Sequence, residues 1–311
     1  MKTAQSTVKH PQIHQMTVTQ FEALFPDETA CRTYLQVNRW PDGVCCPRCG
    51  NPDVKVNSHH KHHWNCYACS PDGVGYRFSV LVGTIFENTN KPLRQWFRVM
   101  HMMLTSKKGV SALQVYRVMG FGSYRTALNM CNKIRVALGD NGFKQLVGYV
   151  EVDETFVGGK AKNKHKGPGG KGGGGQGGSG KAIIIGAAER GGNVIARAIE
   201  SIDTKTVVEF VREVVSHKVS LISTDEASAY KTLSHKERFP WGYVTHSRGE
   251  YVQGAVHTNT IEGFWSMVKR GIVGTYHKVS AKYLPLYVNE FEFRYNNRKN
   301  PDIFGTAIRA C

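Results

Sequence analysis

The sequence predicts a multi-domain α/β protein: an N-terminal zinc ribbon, a helical helix-turn-helix region, and a C-terminal mixed sheet flanked by helices. Three observations predict it. Two Cys-x-x-Cys knuckles lie sixteen residues apart in the first quarter of the chain. A short apolar-faced helix, a glycine turn and a longer helix follow. From residue 147 onward, three strand-like runs in succession give way to alternating helices and strands. With 311 residues and 41% hydrophobic side chains, the chain can build two or three domains with real cores.

Residues 1–15 are polar and patternless, and the first thirty lack the apolar core of a signal peptide. Helices are expected through 19–25 and 28–38, and Trp40-Pro41-Asp42-Gly43 reads as a turn. Cys46-Pro47-Arg48-Cys49 and Cys66-Tyr67-Ala68-Cys69 have the spacing of a four-thiolate zinc site, with Gly50 easing the tight backbone after the first knuckle. Four ligands close such a site, so Cys46, Cys49, Cys66 and Cys69 are expected to hold a structural Zn²⁺. Cys45 is a competing thiol, and the run His59-His60-Lys61-His62-His63 offers a nitrogen ligand or a solvated hairpin tip. Strands at 54–56, 62–65 and 76–80 complete a first segment, 16–82.

Pro92 opens a helix whose Leu93, Trp96, Phe97, Met100, Met103 and Leu104 recur at helical spacing. Ser111-Ala112-Leu113-Gln114 is a capping-box pattern for a short helix ending near Met119. After Gly120-Phe121-Gly122, Ser123 caps a longer helix with Tyr124, Ala127, Leu128, Cys131, Ile134 and Leu138 on its apolar face. Arg125, Asn129, Asn132, Lys133 and Arg135 are expected on the outward face, where they suit phosphates and base edges; a merely solvated basic face is the plainer alternative. This is the second segment, 83–140.

The third segment, 145–305, starts with Val150-Glu151-Val152-Asp153-Glu154, in which period-2 alternation puts Glu151 and Asp153 on one face. Carboxylates in a buried strand need a partner, and a divalent cation is the usual one at a catalytic site. Read alone, the stretch also suits an edge strand with solvated acids. Further strands are expected at 181–188, 193–199, 219–224 and 242–246. Helices are expected at 204–217, 227–234, 258–270 and 280–297. That order is the order of an RNase H-like domain. Between its first two strands, residues 158–181 contain twelve glycines, six lysines and no acid, which reads as a disordered basic loop. Asp225 ends a second apolar strand, and Glu262 and Lys269, seven apart, project to one side of a helix that also carries Asn259. Two strand-end aspartates and a helix-borne glutamate can hold two divalent cations.

Lys and Arg number 41 against 24 Asp and Glu, a formal charge of +17 that points to a polyanion, nucleic acid before membrane, since the longest apolar run, 182–188, is too short to span a bilayer. The missing signal-peptide core places the chain in the cytoplasm, nucleoid-associated if its partner is DNA, and in that reducing compartment the eight cysteines are not expected to form a disulfide framework.

These motifs resemble the bacterial insertion-sequence transposases of the DDE superfamily, in the group with an N-terminal zinc ribbon before an RNase H-like catalytic domain. The residues carrying the resemblance are the knuckles with Trp40-Pro41-Asp42-Gly43, Gly83-Thr84-Ile85-Phe86, Val152-Asp153-Glu154-Thr155-Phe156-Val157-Gly158-Gly159, Thr224-Asp225-Glu226, Asn259-Thr260-Ile261-Glu262-Gly263-Phe264-Trp265-Ser266, Lys269-Arg270-Gly271 and Arg294-Tyr295-Asn296. It implies Asp153 and Asp225 as Mg²⁺ (or Mn²⁺) ligands, Glu262 or alternatively Asn259 as the third, and Lys269 as the basic residue of the site. It also implies cleavage at element ends, strand transfer to target DNA, and a homo-oligomer when the ends are joined. A DNA-binding regulator with an inactive catalytic half, or a nuclease without strand transfer, would show the same composition.

Overall fold

The computed structural model describes residues 16–311 except 71–72, 140–141, 143, 159–180, 236 and 251. The glycine- and lysine-rich stretch expected to be a disordered loop therefore lies almost wholly outside the described residues. The chain divides into two compact units, Met1–Leu138 with Lys299–Cys311, and Gly139–Arg298.

In the first unit, α1 (Val18–Leu24) begins with a complete capping box between Thr17 and Gln20, and α2 (Glu28–Arg39) is capped by Asp27. A three-stranded antiparallel sheet follows, β1 (Lys55–Val56), β2 (His63–Cys66) and β3 (Tyr76–Ser79), in the order β1-β2-β3. Too small for a deep core, it stacks Trp64 on Phe78 and turns Trp40 edge-on against Trp64. Next come α3 (Leu93–Thr105), α4 (Ala112–Met119) and α5 (Tyr124–Leu138). Ser111 accepts the Gln114 N–H at 3.2 Å, and Gly120, in the left-handed region at φ +62°, ends α4 and lets the chain turn.

The C-terminal helix α10 (Ile303–Arg309) belongs to this unit, where Phe304 meets Phe21, Phe25, Tyr34 and Phe97. The sequence reading carried the third segment through residue 305. Residues 299–305 instead side with the N-terminal unit, because Phe304 finds its aromatic core there.

The second unit is a five-stranded mixed sheet of β4 (Leu146–Val157), β5 (Ala182–Glu189), β6 (Val194–Ile199), β7 (Val215–Thr224) and β8 (Trp241–Tyr243), in the order β6-β5-β4-β7-β8. β5 is antiparallel to β4 and β6, while β4-β7 and β7-β8 are parallel. On one face Val150, Val152 and Ile222 pack with Val207, Val211 and Val214 of α6 (Thr204–Val214). On the other, Val157, Ile184 and Ala188 pack with Ile261, Phe264, Trp265 and Val268 of α8 (Asn259–Gly271) and with Val288 and Phe291 of α9 (Leu284–Asn296). A short α7 (Thr232–His235) precedes β8. The helix expected over 204–217 stops at Val214, and β7 begins at once with Val215, since β-branched residues at 214, 215 and 219 suit a strand better than another helical turn.

Candidate active site

The thiolate site is the most compact donor cluster. Among the described residues, the Sγ atoms of Cys46, Cys49, Cys66 and Cys69 all lie within 4.8 Å of one another. The Cys46–Cys69 and Cys49–Cys66 separations are both 3.7 Å. A tetrahedron with Zn–S bonds of about 2.3 Å has edges of about 3.8 Å, which these two separations match. Two of the competing ligands are engaged elsewhere: His62 Nδ1 meets Gln36 Oε1 at 3.1 Å, and His63 Nδ1 meets the Lys61 carbonyl at 2.9 Å.

In the second unit, β4 and β7 pair in parallel with Val150 opposite Ile222 and Glu151 opposite Ser223. Continued for two residues, that register sets Asp153 level with Asp225, just past the end of β7. Glu262 enters from the first turn of α8, exposed, its Oε1 accepting the Thr258 hydroxyl at 2.7 Å. The charges feel one another. The Asp153 carboxyl is pushed up to about 7, first by burial and then by Glu154, Asp225 and Glu262. A carboxyl so placed is only partly ionised near neutral pH, and positive charge arriving beside it favours the ionised form, as in a cation-binding pocket. The three acids do not close to within 4.8 Å as the cysteines do. Ligands spread around two cations about 3.5–4 Å apart have no need to.

Asn259 and Lys269 are exposed on α8, outside the stripe of Ile261, Phe264, Trp265 and Val268 that faces the sheet. Glu154 points to the other side of β4, where it accepts the hydroxyl of buried Tyr230 at 2.5 Å. Burial raises its pKa, against the lowering effect of that hydrogen bond.

The residue that sequence reasoning passed over is Glu151. It shares a face with Asp153 but is fully buried, and it is a hub. Its Oε2 accepts the backbone N–H groups of Thr260 at 2.6 Å and Ile261 at 3.0 Å, while its Oε1 accepts the Thr260 hydroxyl at 2.9 Å. Arg190, in the turn after β5, donates Nε to the same carboxylate at 2.7 Å. The guanidinium also donates to the carbonyls of Ala255 at 2.7 Å and His257 at 3.1 Å. His257 Nδ1 lies 3.1 Å from Glu151 Oε1, outside hydrogen-bond geometry. The N-cap residue Thr258 makes no side-chain cap of its own. A carboxylate from the central strand thus caps α8, the helix that carries Glu262 and Lys269, across more than a hundred residues of chain. Gly186 of β5 assists from below: a Cβ there would stand 2.7 Å from the Trp265 ring and 3.2 Å from Ile261 Cδ1, so its absence lets α8 lie close to the sheet.

The outward face of α5 departs from expectation. Arg125 and Asn129 are exposed, but Arg135 is fully buried and donates Nη1 to the half-buried Asn132 at 3.2 Å. Position 135 lies one turn from Cys131 and Leu138, both buried, and so falls on the inward stripe. Lys133, exposed, folds back over the ring of Trp96 at 6.0 Å. Tyr124, assigned to the apolar face, is 47% exposed, and Met130 is buried instead.

Comparison with known proteins places these features in a lineage. Residues 145–296 match the ISXO2-like transposase domain, and residues 26–71 match the transposase zinc-ribbon domain. A relative from Halobacterium salinarum, described as an uncharacterized protein in transposable element ISH50, is 26% identical over 278 residues, covering 87% of this chain and 91% of its own. Among solved structures, a simian T-cell lymphotropic virus intasome in complex with the PP2A regulatory subunit B56 gamma is 14% identical over 58% of this chain and 67% of that chain, with a TM-score of 0.29. Among the described residues, no helix is long and apolar enough to cross a membrane.

Proposed function

We propose that this chain, which belongs to the insertion-sequence transposases that join a transposase zinc ribbon to an ISXO2-like transposase domain, cuts DNA strands at the ends of its own element and transfers them to target DNA. The observation that carries this reading is the β4–β7 register, which sets Asp153 level with Asp225, together with Glu262 on the first turn of α8 above the same sheet. These three carboxylates would hold Mg²⁺ (or Mn²⁺), with Asn259 at the start of α8 as the alternative third ligand. When bound, a divalent pair supplies positive charge to the entering and leaving oxygens of a phosphodiester. The chain's own part is to hold that charge at the strand ends, to keep Glu262 in place through Thr258 and the Glu151 cap, and to set Lys269 against the phosphate.

In the first step a water oxygen bonds to phosphorus and the 3′ oxygen leaves, taking a proton to become a hydroxyl. In the second step that hydroxyl bonds to a target phosphorus and a target 3′ oxygen leaves. The basic first unit binds the element ends, with Arg125, Asn129 and Lys133 on α5 nearest to DNA and Asn132 beside them. Two copies bring the two ends together, in the cytoplasm at the nucleoid.

The test is Asp153→Asn and Asp225→Asn, assayed with Mg²⁺ on the DNA that flanks this reading frame. Each should abolish both cleavage and joining, and unchanged activity in either refutes the mechanism. Comparing Glu262→Gln with Asn259→Ala assigns the third ligand: the ligand's variant loses activity, and the other keeps most of it.

A further inference from the structure

β8 is an edge strand, and its Trp241 and Tyr243, two residues apart and so on one face, stack with ring centroids 5.2 Å apart and planes at 24°. The Trp241 indole N–H donates to Thr224 Oγ1 at 3.1 Å, which pins the ring to the residue preceding Asp225. Tyr243, stacked on Trp241 on one side, is 45% exposed. Glu226, Lys231, Thr245 and Arg248 join the two rings around a recess of about 220 Å³. That is smaller than the 300 Å³ or so at which drug-sized pockets begin, and suits one planar heterocycle. Glu226 is turned aside to accept the Ser247 N–H at 3.1 Å. Lys231 and Arg248 are both exposed, and neither forms an ion pair among the described residues.

Aromatic faces beside cations bind a base by stacking and its phosphate by charge, with little regard to which base it is. We infer that this recess receives one unstacked nucleotide of the DNA strand adjoining the scissile phosphate, its base against Trp241 and Tyr243 and its phosphate toward Lys231 and Arg248. The inference rests on the proposed strand-cleaving reading, because Glu226, which lines the recess, follows Asp225 directly in the chain. It adds a positioning role: a nucleotide held there is out of the duplex stack, and the strand is anchored beside the acids.

The experiment uses the full chain carrying Asp225→Asn, so that DNA is bound but not cut, and an element end melted across the cleavage position. An abasic residue is walked through the flanking positions. At one position the intact strand should bind roughly 5- to 100-fold tighter than the abasic one, the range expected for loss of one base–aromatic stack. Adding Tyr243→Ala should make the two strands bind alike, and Lys231→Gln with Arg248→Gln should weaken both. Tryptophan emission should fall on binding, and that change should vanish in Trp241→Phe. An intact-to-abasic ratio near one at every position, or a ratio that Tyr243→Ala leaves unchanged, overturns the inference. So does saturation of the recess by dTMP without loss of the bound DNA strand, which would make it a mononucleotide site. A melting temperature for Tyr243→Ala equal to that of the parent excludes misfolding as the cause. Failure of the wider reading is seen separately, as cleavage that survives Asp225→Asn in the assay above.

Discussion

Glu151 offers the sharpest test of how this fold holds its acids in place. Removing one partner of a buried pair leaves the other charge uncompensated, at about 3–5 kcal/mol. Arg190 is the partner left behind, its side chain 21% exposed. Glu151→Ala also orphans the Thr260 and Ile261 N–H groups at the start of α8, a cap worth about 1 kcal/mol. Glu151→Gln keeps one oxygen for the helix but turns an N–H donor toward other donors, so it should lose most of the pair term and part of the cap.

In a unit of this size 1 kcal/mol moves the melting temperature by about 2–4 °C, so Glu151→Ala should melt about 8–24 °C lower and Glu151→Gln slightly less so. Urea unfolding gives the free energies. Because the cap orients Glu262 and Lys269, cleavage by Glu151→Gln should fall even at a temperature where the protein is folded. Pairing Glu151→Met with Arg190→Met separates the two contributions: the double change should regain the charge-pair loss and still lack the cap. If both single variants stay within about 1 kcal/mol of the parent, the hub carries no such burden and the reasoning is wrong.

Three further outcomes follow from the same geometry. Gly186→Ala should cost about 1–3 kcal/mol by overpacking against Trp265 and should slow cleavage by displacing α8, read by urea titration and strand-cleavage rate. Cys66→Ser, or a strong chelator, should remove one zinc per chain by metal analysis, lower the melting of the first unit, and leave the transition of the α/β unit in place. Glu292, whose carboxyl accepts the Ala196 N–H at 3.0 Å, is pushed by burial from 4.5 to about 7. The folded chain therefore binds more protons there than the unfolded chain between those values, and stability from this group is lost as pH rises through that window. Glu292→Gln should match the parent near pH 4 and exceed it at pH 8, measured by melting temperature across pH.

Much of this was legible in the residues, for reasons of local geometry. Knuckle spacing brings thiolates together whatever surrounds them, and the 2.0 and 3.6 periods mark the strands and helices of both units. Asp153, Asp225 and Glu262 stood out because acids at the ends of apolar runs need a charge partner. Other features answer to segments far away in the chain. Arg135 shares the side of α5 that carries Cys131 and Leu138, yet its charge argues for exposure until the helix packs, and Phe304 joins the N-terminal core only because its aromatic neighbours gather there. Glu151 and Asp153 share a strand, a face and a chemistry, and part company only in three dimensions. The start of α8 arrives over Glu151 with unsatisfied N–H groups and makes it a cap, while Asp153 is left among other carboxylates. Backbone periodicity sets where a side chain points, but the partner it meets there, which decides whether an acid braces a helix or awaits a cation, comes from chain more than a hundred residues away.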